Sequence, residues 1–129
     1  MASQDKRSRV VRFLRSFLYA SQGFRYLLKN EQNFLFHLLA GFVVVIAGLV
    51  LGLSVIKMCV LLTVIGIMLS LEALNTGIER TIDLITEEEH PIAKVAKDVS
   101  AAAVFLFAVI SVIIGVLLFF EPIAQLFQS

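Results

Sequence analysis

Between Glu31 and Glu72 the sequence carries one formal charge, Lys57, and between Asp98 and Glu121 it carries none. A water-soluble fold of this length spreads charge over every element it exposes, whereas here the charges are confined to blocks separated by apolar runs. The composition agrees, with 59% apolar and only 16% charged residues, against about 25% charged in an average soluble domain. The bilayer is therefore the predicted solvent. The 129 residues allow one compact domain and leave little room for a soluble appendage.

Three runs are candidate spans. A helix needs about 20 residues to cross a hydrocarbon core of about 30 Å. Phe34 to Ile56 meets that length, and Val99 to Phe120 is uncharged throughout and bounded by Asp98 and by Glu121-Pro122, with Pro122 expected to end the helix. The run from Met58 stays uncharged only to Leu71, so it crosses only if it carries Glu72 and Asn75 within the membrane. Ahead of these, Val10, Phe13, Leu14, Phe17, Leu18, Phe24, Leu27 and Leu28 recur at helical spacing against Arg12, Arg15, Ser16, Gln22 and Arg25, which predicts an amphipathic helix lying in the interface. The predicted organisation is one all-α integral membrane domain over 1–129: a surface helix over 10–30, spans over 34–56 and 58–80, a loop over 81–92, and a helix over 93–120 that contains the third span.

The net charge of +1 hides an asymmetry, since five of the eleven cations, Lys6, Arg7, Arg9, Arg12 and Arg15, fall in the first fifteen positions. On a membrane chain this tail predicts a cytoplasmic N-terminus attracted to anionic lipid, and makes nucleic acid a poor partner. The connection Gly52 to Lys57 is then an outer turn, Arg80 to Asp98 a second cytoplasmic segment, and the C-terminus lies outside. More than thirty residues of mixed sequence precede the first long apolar run, so no secretory signal is expected there. Cys59 is the sole cysteine, which excludes an internal disulfide and leaves it a packing role. Walker-type glycine loops, dinucleotide fingerprints and paired-cysteine motifs do not occur.

Chemistry must therefore come from polar residues at the membrane edge. Glu72, Asn75, Glu79 and Asp83 fall at about 0°, 300°, 340° and 20° around a helix, forming one stripe about 16 Å long. Glu72 lies about 21 Å below the outer turn, several Å inside the boundary, where an ionisable residue marks function. A desolvated carboxylate suits a general base for an alcohol, and hard oxygens at a water boundary suit magnesium, which one or two carboxylates hold together with substrate phosphates. Lys94 and Lys97 supply the opposite sign and could neutralise phosphates, and His90, in the acidic run Glu87-Glu88-Glu89-His90-Pro91, could meet a nucleotide base. Glu31 sits where the surface helix meets the first span, and His37, one turn inside, reads as a hydrogen-bonded packing residue. Gly48-x-x-x-Gly52 and the seven-residue series Ala101, Ala108, Gly115 offer close helix packing. Three short helices bury few polar groups alone, which points to an oligomer.

The series Glu72-Ala-Leu-Asn75-Thr-Gly-Ile-Glu79-x-x-x-Asp83, followed by Ala96-Lys97-Asp98 and Ser100-Ala-Ala-Ala103, resembles the small prokaryotic lipid kinases, diacylglycerol kinase and its Gram-positive relative undecaprenol kinase. The resemblance runs from about Arg12 to Phe120. It implies a homotrimer with composite active sites, in which the γ-phosphoryl group of magnesium-ATP passes to a lipid hydroxyl at the inner leaflet of the bacterial cell membrane. By the same resemblance Glu72 is the general base with Asn75 beside it, and Glu31 and Glu79 hold magnesium and nucleotide. Arg12, Tyr19, Glu88, His90, Lys97 and Asp98 match nucleotide-contacting positions. Arg12, Ser21, Gln22, Gly23 and Arg25 match the surface helix that meets the lipid, with Ala101 a further lipid contact. Gly77 replaces a commoner alanine, and His37 stands where the enterobacterial members have a carboxylate. The resemblance favours undecaprenol as acceptor, with diacylglycerol second. A small proton-coupled transporter would also use a membrane glutamate, and a structural membrane subunit would need no site; acids that extend beyond the bilayer beside lysines favour nucleotide binding over a proton relay.

Overall fold

A computed structural model describes the backbone of residues 2–128 and the side chains of residues 8–128, so the side chains of Lys6 and Arg7 lie outside the described residues. The chain is all-α, with α1 (Ala2–Asn30), α2 (Gln32–Val50), α3 (Val55–Ile85) and α4 (Pro91–Leu126). It divides into two units, residues 1–32 and 33–129. The helices α2, α3 and α4 are each long and apolar enough to cross a membrane.

The first unit is in essence α1, which begins eight residues before the expected start at Val10. Its polar side chains bond back along the helix. Arg12 Nε and Nη2 donate to the Ser8 carbonyl and hydroxyl at 3.2 and 3.3 Å, and the Ser21 hydroxyl donates to Leu18 O at 2.8 Å. Asn30 Nδ2 donates to Tyr26 O at 2.9 Å and closes the last turn. The apolar stripe of Val10, Phe13, Leu14, Phe17 and Phe24 is exposed, with the Phe13 and Phe17 rings edge to face at 5.1 Å. A helix with cations on one face and bare apolar side chains on the other fits the plane of a membrane interface.

In the second unit α2 ends at Val50, six residues short of the expected Ile56. The cause is a helix stop encoded in Gly52-Leu53-Ser54. Gly52 takes φ +68, the left-handed region that costs glycine least. Its N–H reaches Leu49 O at 3.2 Å, while the Leu53 N–H reaches Gly48 O at 2.9 Å, the paired bonds that close a helix with a C-terminal glycine. Ser54 then caps α3, its hydroxyl accepting from the Lys57 N–H at 3.3 Å. Val55 and Ile56, assigned to the first span by hydropathy, therefore open α3. Gly52 is a turn residue and not the second member of a packing pair.

The 31 residues of α3 extend about 46 Å, some ten residues more than a 30 Å core requires. The helix continues five residues past the expected Arg80, and Thr86 ends it in an extended conformation. The connection is consequently Thr86 to His90, shorter than the expected 81–92. His90 caps α4 through Nδ1, which accepts the Ile92 N–H at 3.2 Å, and Pro91 occupies the first turn, where its missing donor costs nothing. At the far end α4 passes through Pro122 and ends at Leu126 instead of Phe120. Glu121, the residue that proline would push out of the helical region, is held by Lys57 Nζ of α3 at 2.9 Å.

Two ion pairs across α3 and α4 bracket an apolar seam. Lys57 meets Glu121 at one end, and Asp83 meets Lys97 at the other. The pairs are about 39 Å apart along α3 and about 36 Å along α4 at the helical rise, a little more than the core thickness. Between them Leu61, Met68 and Val104 are buried. The helix α2 packs on α3 through buried Gly41 and Gly48. A Cβ on Gly41 would lie 2.8 Å from Ile65 Cγ2, and one on Gly48 3.0 Å from Met58 Cε.

Gly41→Val is thus expected to destabilise the protein by about 1–3 kcal/mol through overpacking, measured by thermal unfolding in detergent. Ile65→Ala in the same chain should recover part of that loss; no recovery would show that the two helices do not meet at this point.

Candidate active site

The stripe predicted on α3 is present, and its members differ in burial because α3 leaves the apolar seam partway along. Glu72 and Thr76 are the buried polar residues of the second unit. Glu79 and Asp83, further along, are half exposed. Asn75 Nδ2 donates to Glu79 Oε1 at 3.1 Å across one helical turn. Asn75 Oδ1 is buried with no hydrogen-bond partner, an acceptor held ready for a donor or a cation that the single chain does not supply.

Glu72 meets a residue from another helix. His37 Nε2 of α2 lies 3.3 Å from Glu72 Oε1. A polar packing role is what the sequence predicts for His37; the structure adds its partner, signalled only by its spacing of three and four residues from Phe34 and Gly41 on the buried face of α2.

Beyond the stripe, the end of α3, the connection and the start of α4 enclose a groove of about 590 Å³. Asp83, Glu87, Glu88, His90, Lys94 and Lys97 are among its lining residues. Lys97 Nζ donates to Asp83 Oδ1, and Arg80 Nη1 stands 3.9 Å from Asp83 Oδ2, so one carboxylate faces two cations. The connection is shaped by Thr86, whose hydroxyl accepts the Glu88 N–H at 3.2 Å. Three expected nucleotide contacts, Glu88, His90 and Lys97, therefore share one groove. Asp98 does not line it; it pairs with Lys94 at 2.7 Å on the exposed side of α4. Ala101 is exposed on α4 and a Cβ at Gly115 would meet nothing within 4 Å, whereas Ala108 is half-buried within the chain. Arg12, Tyr19, Ser21, Gln22, Gly23, Arg25 and Glu31 all belong to the first unit. Among the described residues no three histidine, cysteine or acidic side chains converge as a metal cage. Glu79 and Asn75 Oδ1 offer hard oxygens within one turn, a donor set that fits magnesium completed by phosphates.

The sequence model of the prokaryotic diacylglycerol kinase family matches residues 18–119. The chain belongs to that family. It is 49% identical to the undecaprenol kinase of Bacillus subtilis (strain 168) over 119 residues, 92% of this chain and 97% of that protein. It is 38% identical to a diacylglycerol kinase of Synechocystis over 112 residues, 86% of this chain and 64% of that protein. A diacylglycerol kinase of Haemophilus influenzae is 27% identical over 116 residues, 89% of this chain and 98% of its own length. The molecule is accordingly an all-α membrane kinase, a phosphotransferase with an alcohol acceptor, and its family implies ATP as the phosphate donor. The family match takes in α2, α3 and the groove of this kinase, while Arg12 precedes it.

Asp83 and Lys97 are both more than a third exposed, and exposed pairs are worth about 0–1 kcal/mol. Asp83→Asn should therefore change the unfolding free energy of the kinase by less than about 1 kcal/mol in chemical denaturation. A loss above about 2 kcal/mol would show that the pair is desolvated in the folded protein.

Proposed function

We propose that this kinase transfers the γ-phosphoryl group of magnesium-ATP to the hydroxyl of undecaprenol, giving undecaprenyl phosphate. The observation that carries the reading is a buried carboxylate, Glu72, set within an apolar span on the same helix face as a half-exposed acid, Glu79, and within one chain of a charged groove. The choice of acceptor is supported by the relative at 49% identity, which is named an undecaprenol kinase. Diacylglycerol is the second acceptor, since the relatives at 38% and 27% are named diacylglycerol kinases.

In this reading ATP enters from water and the alcohol from the bilayer. The triphosphate lies in the groove, where Lys97 and Lys94 face its charge, with Glu88 and His90 toward the nucleoside and Tyr19, Arg12 and Asp98 as further contacts. Glu79 and Glu31 would hold magnesium, whose contribution is to neutralise charge on the phosphates. Glu72 accepts the proton of the lipid hydroxyl as its oxygen bonds to the γ-phosphorus, and the bridging bond to ADP breaks with its electron pair leaving on ADP. Asn75 holds Glu79 in register with Glu72 on the shared face. Phosphoryl transfer asks mainly for positioning and charge neutralisation, so no soluble nucleotide fold is needed. Ser21, Gln22, Gly23 and Arg25 of α1, with Ala101 of α4, meet the lipid.

The kinase belongs in this reading to the bacterial cytoplasmic membrane, N-terminus inside and C-terminus outside, as the basic start of α1 favours. It works as a homotrimer with sites shared between copies. Supporting the oligomer, exposed Ala101 and the open space at Gly115 leave small-residue positions on α4 available to a neighbouring helix.

Glu72→Gln should leave a folded, detergent-stable particle with lipid phosphorylation reduced at least about a thousandfold, the scale expected when a base that acts together with positioning is removed. Activity within a fewfold of the parent would remove Glu72 from the base role. Glu31→Ala and Glu79→Ala should each raise the magnesium concentration needed for half-maximal rate, and an unchanged metal dependence in both would refute the assignment of the cation to them.

A further inference from the structure

Among the polar side chains of the spans that the groove and the stripe leave without a role, His37 stands nearest the chemistry. It projects from the buried face of α2, one turn from Gly41, whose missing Cβ lets α2 approach Ile65 of α3. That approach brings His37 Nε2 to 3.3 Å from Glu72 Oε1. The Phe36 ring stands edge to face with the imidazole at 5.5 Å. The Glu72 side chain is 6% exposed and the His37 side chain 25%, so the contact lies on the inward side of the histidine.

A carboxylate that takes a proton from a bound alcohol has to aim one oxygen at the hydroxyl, and a glutamate has three rotatable bonds with which to miss. We propose that His37 is the positioning residue for Glu72: its Nε2–H engages Oε1 and fixes the rotamer in which the carboxylate meets the lipid hydroxyl. The contact also compensates a desolvated negative charge that apolar neighbours cannot. In the reaction the lipid O–H bond breaks, its proton goes to the Glu72 carboxylate, and His37 keeps its own proton throughout. At 3.3 Å the two groups are at ion-pair distance but off hydrogen-bond geometry in the free chain, and such catalytic contacts align and tighten in the substrate complex. This inference rests on the reading of Glu72 as the general base.

The test uses the full-length kinase in vesicles containing undecaprenol, with kcat and KM for magnesium-ATP measured for His37→Met, His37→Gln, Glu72→Gln, Glu72→Asp and the double variant His37→Met with Glu72→Asp. Methionine matches the volume without a donor, and glutamine restores one. His37→Met is expected to lower kcat about 10- to 100-fold, the range seen when the partner orienting a functional side chain is removed, with KM for ATP within about twofold. His37→Gln should recover most of the loss. In the Glu72→Asp background, where the shortened carboxylate no longer reaches the imidazole, His37→Met should cost less than about threefold. His37→Leu replaces the methionine variant if that one does not assemble. The proposal is overturned by a His37→Met kcat within about threefold of the parent, by equal losses in both backgrounds, or by a glutamine variant as slow as the methionine one. Near-parental activity in Glu72→Gln would instead overturn the base itself, so the two failures are distinguishable.

Discussion

An acidic side chain within hydrocarbon costs about 3 kcal/mol on insertion scales, and the arrangement of the spans around Glu72 answers that cost. The carboxylate is buried within the chain, and the histidine of α2 faces it at 3.3 Å. The contact depends on how near α2 comes to α3, which Gly41 and Gly48 set through the absence of side chains on one face of α2. The length of α3 matters equally. Because it outlasts the bilayer core, one straight helix carries polar groups from the apolar interior at Glu72 to the groove at Asp83. The groove exists because α4 returns along α3, with Leu61, Met68 and Val104 buried between them and an ion pair at each end of the seam.

This architecture explains how so small a chain can be a kinase. A soluble phosphotransferase needs a domain to hold the nucleotide and a cleft to exclude water. In the proposed mechanism the bilayer excludes water from one side of the site, and the acceptor arrives laterally with its hydroxyl at the level where Glu72 and Glu79 share a face. The protein has only to hold a few charged groups at the boundary, and the spans serve as scaffold for that. The exposed apolar faces of α1 and of the spans are what such a division of labour requires, since lipid, and in the proposed trimer other copies, cover them.

How much of this was legible in the sequence follows from the range of the interactions involved. The spans were readable because hydropathy is a local property, and so was the stripe Glu72, Asn75, Glu79, Asp83, since a single helix fixes the angles between its own residues. Boundaries were read less well where a cap competed with hydropathy. Val55 and Ile56 are as apolar as the residues before them, and only the glycine at 52 and the serine at 54 reveal that the chain has already turned. Pro122 carried a local stop signal, yet α4 runs through it to Leu126, with Glu121 paired to Lys57 of α3. The pairing of His37 with Glu72, of Lys97 with Asp83 and of Asp98 with Lys94 instead of the groove needed coordinates, because they depend on helix register and side-chain direction.

The central claim is that a membrane alcohol, and not water or a soluble metabolite, receives the phosphoryl group. The direct measurement supplies the purified protein, in vesicles with magnesium and γ-labelled ATP, with undecaprenol or diacylglycerol in parallel, and follows the label into extractable lipid. The account predicts one label in lipid per ADP formed and a clear preference for undecaprenol. Label appearing only as inorganic phosphate, or ion uptake by the vesicles without ATP, would contradict it.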